Sequence, residues 1–279
     1  MKTRPRGASL RQLVLVVAYG ILGALLIWSD LLWRWENVFY DAQLKLWTRP
    51  AANDIVIVAI DETSLSTLGR WPWSRRLHAR LVEILSAEGA KVIGLDILFP
   101  EPSANDPQAD QKLTDAVAAH GRVVLPITTS QLGQNTPFFE LLPIPALASV
   151  SHLGHVNVEL DADGIARRVY LKEGLGTAFW PSFSLVMMSG GPMGEIDRLP
   201  GTRNRLFSDE QHRRWTRDHE VLLPFAGPAG RFTRVSYSDV LAGDYPRGMF
   251  DDAIVFVGVT APGLGDILPT LRRIAAAAV

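Results

Sequence analysis

The sequence predicts an α/β fold: an N-terminal transmembrane helix, then an extracytoplasmic three-layer domain with a mostly parallel sheet and an inserted β-hairpin. Three observations predict it. The runs "DIVIVAI" (Asp54–Ile60), "KVIGLDILF" (Lys91–Phe99) and "RVVLPI" (Arg122–Ile127) are apolar on both faces, as strands covered on both sides must be. Segments of helical spacing, with cap signals at their ends, separate these runs. Ahead of them, Leu13–Trp28 runs 16 residues without a charge.

Extended to Trp33 the apolar segment reaches 21 residues, about 31 Å as a helix and close to one hydrocarbon core. Trp28, Trp33 and Trp35 cluster at its far end, as an interfacial belt does, and Lys2, Arg4, Arg6 and Arg11 precede it without an acid. The positive-inside rule then gives a cytoplasmic tail (1–11), a transmembrane helix (12–33) and an extracytoplasmic domain (34–279). The expected location is the inner membrane, single-pass, with the main domain periplasmic. A cleaved signal peptide is the alternative, but "WSDLLWRW" offers no pair of small residues at cleavage spacing. Gly20 and Ala24 form a small-xxx-small pair, the one local hint of a homodimer.

Composition narrows the chemistry. There is no cysteine, which excludes disulfides, thiolate metal sites and a cysteine nucleophile. The formal net charge is −1, with 24 basic and 28 acidic residues after position 33, so no field favours nucleic acid.

The elements follow in order. "RWENVFYDAQLKLWTR" (Arg34–Arg49) has helical spacing at Val38, Phe39, Ala42 and Leu46 and ends before Pro50. Ser74 caps a helix over Arg75–Glu88, with Gly89 as its C′ residue. Asp106 caps the next, with Pro107 at its first position and Gly121 just past its end. Strand, helix, strand, helix, strand implies right-handed crossovers and a parallel sheet. "LGHVNVELDADGIARRVYLKE" holds two short runs around Asp-Gly and reads as a hairpin. "PSFSLVMM" reads as a short helix, and residues 190–220, polar and weakly patterned, as an excursion. "EVLLPFAG" follows as an edge strand and "SYSDVLAG" as a capped helix ending at Gly243. Ala253–Val259 is a last apolar strand opening into a glycine-rich loop.

The stretches "FYDAQLKL", "IVIVAIDETSLSTLGRWPWSRRLHARLVEIL", "GAKVIGLDILFPEP", "GHVNVELDADGIARRV", "SDVLAG" and "IVFVGVTAPGLGD" together resemble the second family of CHASE domains. These are extracellular sensory domains associated with cyclases and histidine kinases. The resemblance runs from about Phe39 to Asp266. It implies a bacterial receptor module, with cyclase or kinase output normally following further membrane helices. Here the sequence ends soon after "GLGD", short of the final strand and helix the family carries, so the resemblance implies a C-terminally incomplete domain without its output.

Candidate site residues gather where strands end. Asp61 and Glu62 end one strand, Asp96 lies late in another and Asp266 follows a third. Ligands of open parallel sheets bind outside these ends. Carboxylates there suit a divalent ion or a cationic ligand, or else they satisfy nearby backbone N–H groups. "GVTAPG" has the spacing of a phosphate loop but lacks the following lysine and hydroxyl, so nucleotide hydrolysis is not expected; at Gly263 a small anion remains an option. "GRWPWSRRLH" admits two readings. Either Trp71 and Trp73 seal the core while the arginines neutralise Asp61 or Glu62, or the rings and Arg75 line a ligand pocket. His152 and His155, three apart in a strand, fall on opposite faces, and His78 is expected packed or half-exposed. The ligand mouth is therefore Asp61, Glu62, Trp71, Trp73, Arg75, Asp96, Gly263 and Asp266, binding an unknown small molecule or protein, with no catalytic residue, metal or cofactor. Sensing is the primary reading. A membrane-anchored periplasmic metal-dependent hydrolase and a non-signalling remnant of a broken receptor gene are the alternatives.

Overall fold

The computed structural model describes residues 10–28, 31–46, 52–104, 106–131, 136–190, 199–203, 214–226, 230–261 and 263–264. The chain divides into two compact units, Met1–Arg49 and Pro50–Val279.

The first unit holds helices α1 (Leu10–Trp28) and α2 (Leu31–Leu46). Leu13, Val14, Val16, Val17, Ile21, Leu22 and Leu25 of α1 are all exposed, so the helix is apolar around its whole girth. Within the span expected over 12–33 the described residues are helical up to Trp28 and again from Leu31, and residues 29–30 lie outside the described residues. Among the described residues no helix is long and apolar enough to cross a membrane.

The second unit begins with β1 (Ile55–Ile60), α3 (Glu62–Leu68), α4 (Arg75–Ala87), β2 (Val92–Leu95), α5 (Pro107–His120) and β3 (Val123–Ser130). The caps are those the sequence announces. Ser74 Oγ accepts from Arg76 N–H at 3.3 Å, Asp106 accepts from Ala109 N–H at 3.2 Å, and Gly121 ends α5 in the left-handed region at φ 74°. Next come β4 (Phe139–Leu141), α6 (Pro145–Ala148), β5 (His152–His155), β6 (Arg168–Leu175), β7 (Trp180–Pro181) and α7 (Phe183–Ser189). The last are β8 (Trp215–Leu222), β9 (Thr233–Ser236), α8 (Tyr237–Ala242) and β10 (Ile254–Val259).

Seven strands form one sheet in the order β4-β3-β2-β10-β1-β9, with β5 also on β3. All pairs are parallel except β3–β4, which runs antiparallel over the outer end of β3. The crossovers β1→β2, β2→β3 and β9→β10 step the same way across the sheet. With one hand of crossover, their helices must share one face. They do: Leu81 and Leu85 of α4, Leu113 and Val117 of α5 and Val240 of α8 pack in one core with Val58, Ile60, Leu95, Leu125 and Val257. On the other face Phe183, Val186 and Met187 of α7 cover Val92, Val124 and Phe256. The result is the expected three layers, and it explains why the strands are apolar on both sides.

The fit of α7 is set by glycine. A Cβ on Gly154 of β5 would stand 2.6 Å from the Phe183 Cα, whereas one on Gly94 of β2 would meet only side chains, the Met187 Sδ at 2.7 Å and the Phe183 ring. Gly154→Ala is therefore expected to cost about 1–3 kcal/mol, because a backbone must move, and Gly94→Ala less, because Met187 can turn away. Urea unfolding of the two purified variants checks the order.

The inserted antiparallel element is present as a separate sheet, β7-β6-β8, but the hairpin is not the one expected. The run before "DADG" supplies β5, which joins the main sheet, and the run after it supplies β6, which pairs with β7 and β8. Across the turn the two sides share the isolated bridge Glu159↔Arg168 and a backbone bond from Asp161 N–H to Ile165 O at 3.0 Å, but no strand ladder. Gly164 N–H donates to Asp161 O at 2.7 Å, and the buried Arg167 guanidinium binds Asp161 at 2.9 Å and Asp163 at 2.8 Å. The excursion expected over 190–220 holds most of β8, disguised by polar groups on its buried side, and the last residues of β8 open the expected edge strand "EVLLPFAG". Thr216 and Asp218 are both buried, Asp218 within 3.2 Å of the Arg203 guanidinium. Residues 191–198 and 204–213 of that excursion lie outside the described residues.

Candidate functional site

Asp61 leaves β1 and caps α3, a helix the sequence reading passed over. Its Oδ1 accepts from Ser64 N–H at 3.0 Å and Ser64 Oγ at 2.8 Å; its Oδ2 accepts from Ser236 Oγ at 2.6 Å. The Arg234 guanidinium stands 3.8 Å away and donates to Thr260 Oγ1 at 2.5 Å. Burial pushes the Asp61 carboxyl up, but the hydrogen bonds from Ser236 and Ser64, with the charge of Arg234, outweigh it and hold the group below the usual carboxylate range. Three strand ends, β1, β9 and β10, are thus tied together through one carboxylate. The backbone-satisfying role is the one this side chain fills.

Glu62 is exposed in the first turn of α3. Asp96 follows β2; its N–H donates to Val257 O at 2.8 Å, and its side chain lies against Gly258 of β10. Because β10 lies between β1 and β2, Asp61 and Asp96 flank its outgoing end. Gly263 is exposed with φ +84°. Asp266 lies outside the described residues. The "GVTAPG" loop does not present its first amides to an anion, since Thr260 and Ala261 N–H both donate to Ile60 O, at 3.0 and 3.1 Å.

The Trp-Pro-Trp stretch forms a roof over the core. The Trp71–Pro72 bond is cis. The rings of Trp71 and Trp73 meet edge to face at 5.2 Å, and Trp73 lies 4.9 Å from the Tyr237 ring. Trp73 is 8% exposed, and its Nε1–H donates to Gly69 O at 2.9 Å. His78 sits beneath, ringed by Trp71, Phe99 and Tyr237, with its Nδ1 2.9 Å from the Tyr237 hydroxyl. Burial, and then the charge of Arg75, push the imidazole down to about 4; burial drives the Tyr237 phenol well above its ordinary value.

The arginines do not neutralise Asp61 or Glu62 as expected. Arg75 pairs with Asp110, donates to Glu101 O and lies 5.3 Å over the Phe99 ring, and Arg76 binds Asp106 at 2.7 Å. Their partners lie in α5 and its approach because α4 packs against α5, whereas Asp61 draws its cation from β9. The expected mouth is therefore divided: Asp61, Glu62 and Asp96 at the strand ends, and Trp71, Trp73 and Arg75 in the roof. Sequence reading missed Arg234 and Ser236. The only signal for Ser236 was its place before the short α8, and Arg234 left none. Among the described residues no group of three or more histidine or acidic side chains is placed to hold a metal ion.

Fold and rim together define a mixed α/β domain, with a parallel sheet, a satellite antiparallel sheet and strand ends cross-tied by polar groups. The model of the CHASE2 domain family matches residues 13–274, and the chain belongs to that family. CHASE2 is an extracellular sensory domain family of signalling receptors, not a catalytic one. Comparison with the curated proteins gave no match, nor did comparison with the solved structures.

Proposed function

We propose that this chain is the extracytoplasmic ligand-sensing module of a bacterial membrane receptor whose cyclase or kinase output lies outside it. The observation that carries this reading is the family match across residues 13–274. The ligand, a small molecule or a protein, meets the rim at the strand ends, at Glu62, Asp96 and Gly263, with Asp61 holding the rim's frame; Asp266 is assigned to the same site from its place in the sequence alone. Trp71, Trp73 and Arg75 support that rim from the roof. The N-terminal apolar helix holds the domain at the inner membrane with its N-terminus in the cytoplasm, a reading supported by the exposed apolar side chains from Leu13 to Leu25 and the four bases Lys2, Arg4, Arg6 and Arg11 ahead of them. Two copies associate through it at Gly20 and Ala24. A ligand signals by binding one of two domain conformations more tightly than the other. The hydrolase alternative needs carboxylates free to hold a divalent ion, and both oxygens of Asp61 already accept hydrogen bonds.

Because the chain has no cysteine, a single introduced thiol reports location without background. Arg70→Cys places it at an exposed position beside the roof. A membrane-impermeant maleimide is expected to label this variant in intact spheroplasts as fully as in lysed ones. Labelling only after lysis overturns the assignment.

A further inference from the structure

A second buried polar cluster lies where the two sheets of the domain join. His155 closes β5 and Glu173 sits in β6. The join is made by the bridge His155↔Ser182 and by Ser182 N–H donating to Leu171 O at 2.9 Å. The two side chains are 1% and 2% exposed. His155 Nδ1 stands 3.9 Å from Glu173 Oε2, too far for a hydrogen bond, and neither ring nitrogen has a partner. Glu173 Oε2 accepts from Asn157 Nδ2 at 2.8 Å and from Trp215 Nε1 at 2.6 Å. Asn157 in turn accepts from Thr128 Oγ1 of β3 at 2.7 Å, so the carboxylate connects β8 with the main sheet.

The charged surroundings are few. From β8, Arg217 Nε lies 3.6 Å from Glu173 Oε1. Glu159, after β5, pairs with Arg217 at 3.2 Å, and Tyr170 of β6 lies under the same guanidinium at 5.6 Å. Glu140 of β4 accepts from Leu175 N–H. The strands β3 and β7 and helix α7 contain no titratable residue. Burial pushes the imidazole down to about 4; the main chain at Tyr170 opposes that shift without meeting hydrogen-bond geometry. Burial raises the Glu173 carboxyl, against the pull of Trp215, Asn157 and Arg217.

An unpartnered imidazole beside a buried carboxylate has one inexpensive way to satisfy itself. A single proton from solvent, shared between the two, makes the missing hydrogen bond, and the uptake belongs to the pair rather than to either residue. Oε2 already accepts twice, so a third donor displaces one of the first two. We propose that His155 and Glu173 form a proton-sensing site, in which uptake of one proton draws the imidazole onto Glu173 Oε2 and releases the Trp215 indole. Strand β8 then loses its polar link, through Glu173 and Asn157, to β3 of the parallel sheet, while the Glu173–Asn157–Thr128 tie of β6 stays. The proton's standing as a signal rests on the sensory reading above; its binding does not.

The test follows the indole ¹H–¹⁵N resonances of the full chain in detergent micelles from pH 7.5 to 4, with Trp215 identified by its loss in Trp215→Phe. The Trp215 resonance is expected to move in one step while, Trp71 and Trp73 beside His78 apart, the other five of the eight indoles hold still. Glu173→Gln is expected to abolish the step, and His155→Gln to displace it by more than one pH unit. A flat Trp215 resonance overturns the proposal, as does an identical step in all three proteins or a joint movement of all eight indoles. Should a variant fail to fold, the wild-type imidazole decides: its ¹⁵N resonances must inflect together with Trp215, and an imidazole unmoved at pH 4 overturns the pairing. A flat titration leaves the receptor assignment standing, and failed labelling of Arg70→Cys leaves the titration standing.

Discussion

Trp73→Ala is expected to destabilise the chain by about 3–5 kcal/mol, the range for removing a buried aromatic ring and leaving its cavity. The side chain is nearly closed off from solvent, packs on Tyr237 and Trp71, and ties its indole N–H to Gly69 O. Nothing nearby collapses easily into the space, because His78 and Tyr237 are held to each other. Trp73→Phe keeps much of the ring and loses the hydrogen bond, so its expected cost is nearer 1–2 kcal/mol. Trp71→Ala falls below Trp73→Ala, since Trp71 is only half-buried. Denaturant unfolding of the three purified variants measures the series. A loss under 1 kcal/mol for Trp73→Ala contradicts the core role and reopens the pocket reading of the Trp-Pro-Trp stretch.

Acid is expected to weaken the fold well above the ordinary carboxylate range. His78 and His155 are both pushed down to about 4 from 6.5. A base whose folded pKa is depressed leaves the unfolded chain holding more protons in between, so stability is complete above pH 6.5 and drains away as pH falls towards 4. At 1.36 kcal/mol per unit, each histidine contributes about 2–3 kcal/mol of loss between pH 7 and 4.5. Glu173 acts in the opposite sense. Its carboxyl is raised by burial, so protonating it as pH falls restores part of the loss. Urea unfolding at pH 7 and 4.5 checks the net slope, and His78→Leu is expected to remove about half of it. Equal stability at the two pH values contradicts the buried neutral state of both imidazoles.

How much of this could be read beforehand differs from element to element. Helices α4 and α5 announced themselves because Ser74, Asp106, Pro107 and Gly121 are local signals, each acting within a turn of where it stands. The strands β1, β2, β3 and β10 were legible because burial on both faces leaves an unbroken apolar run. Strand β8 was legible only at its end, in "EVL"; its first five residues were not, because Thr216 and Asp218 occupy buried positions and are satisfied by polar partners. Helix α3 was missed because it is short and depends on one cap at Asp61. At the rim the position of Asp61 after its strand was right; Asp96, expected late within the strand Lys91–Phe99, instead follows β2, which ends at Leu95, and the partners of Asp61 were not foreseen. Ser236 lies 175 residues from Asp61, and Asp110 lies 35 from Arg75. Partners so distant in the chain leave no periodic trace, so pairing each charge with its nearest neighbour in sequence misled.

The slot between β1 and β2 is filled by β10, the last strand described, nearly 160 residues after β2 ends. During synthesis the first two strands emerge early and then wait, unable to close side by side, until β10 has been made. Topology of this kind delays folding, because the long intervening loop must be ordered before the central pairing rewards it. The centre of the sheet thus closes late: β10 locks β1 to β2 only after every other described strand has been made.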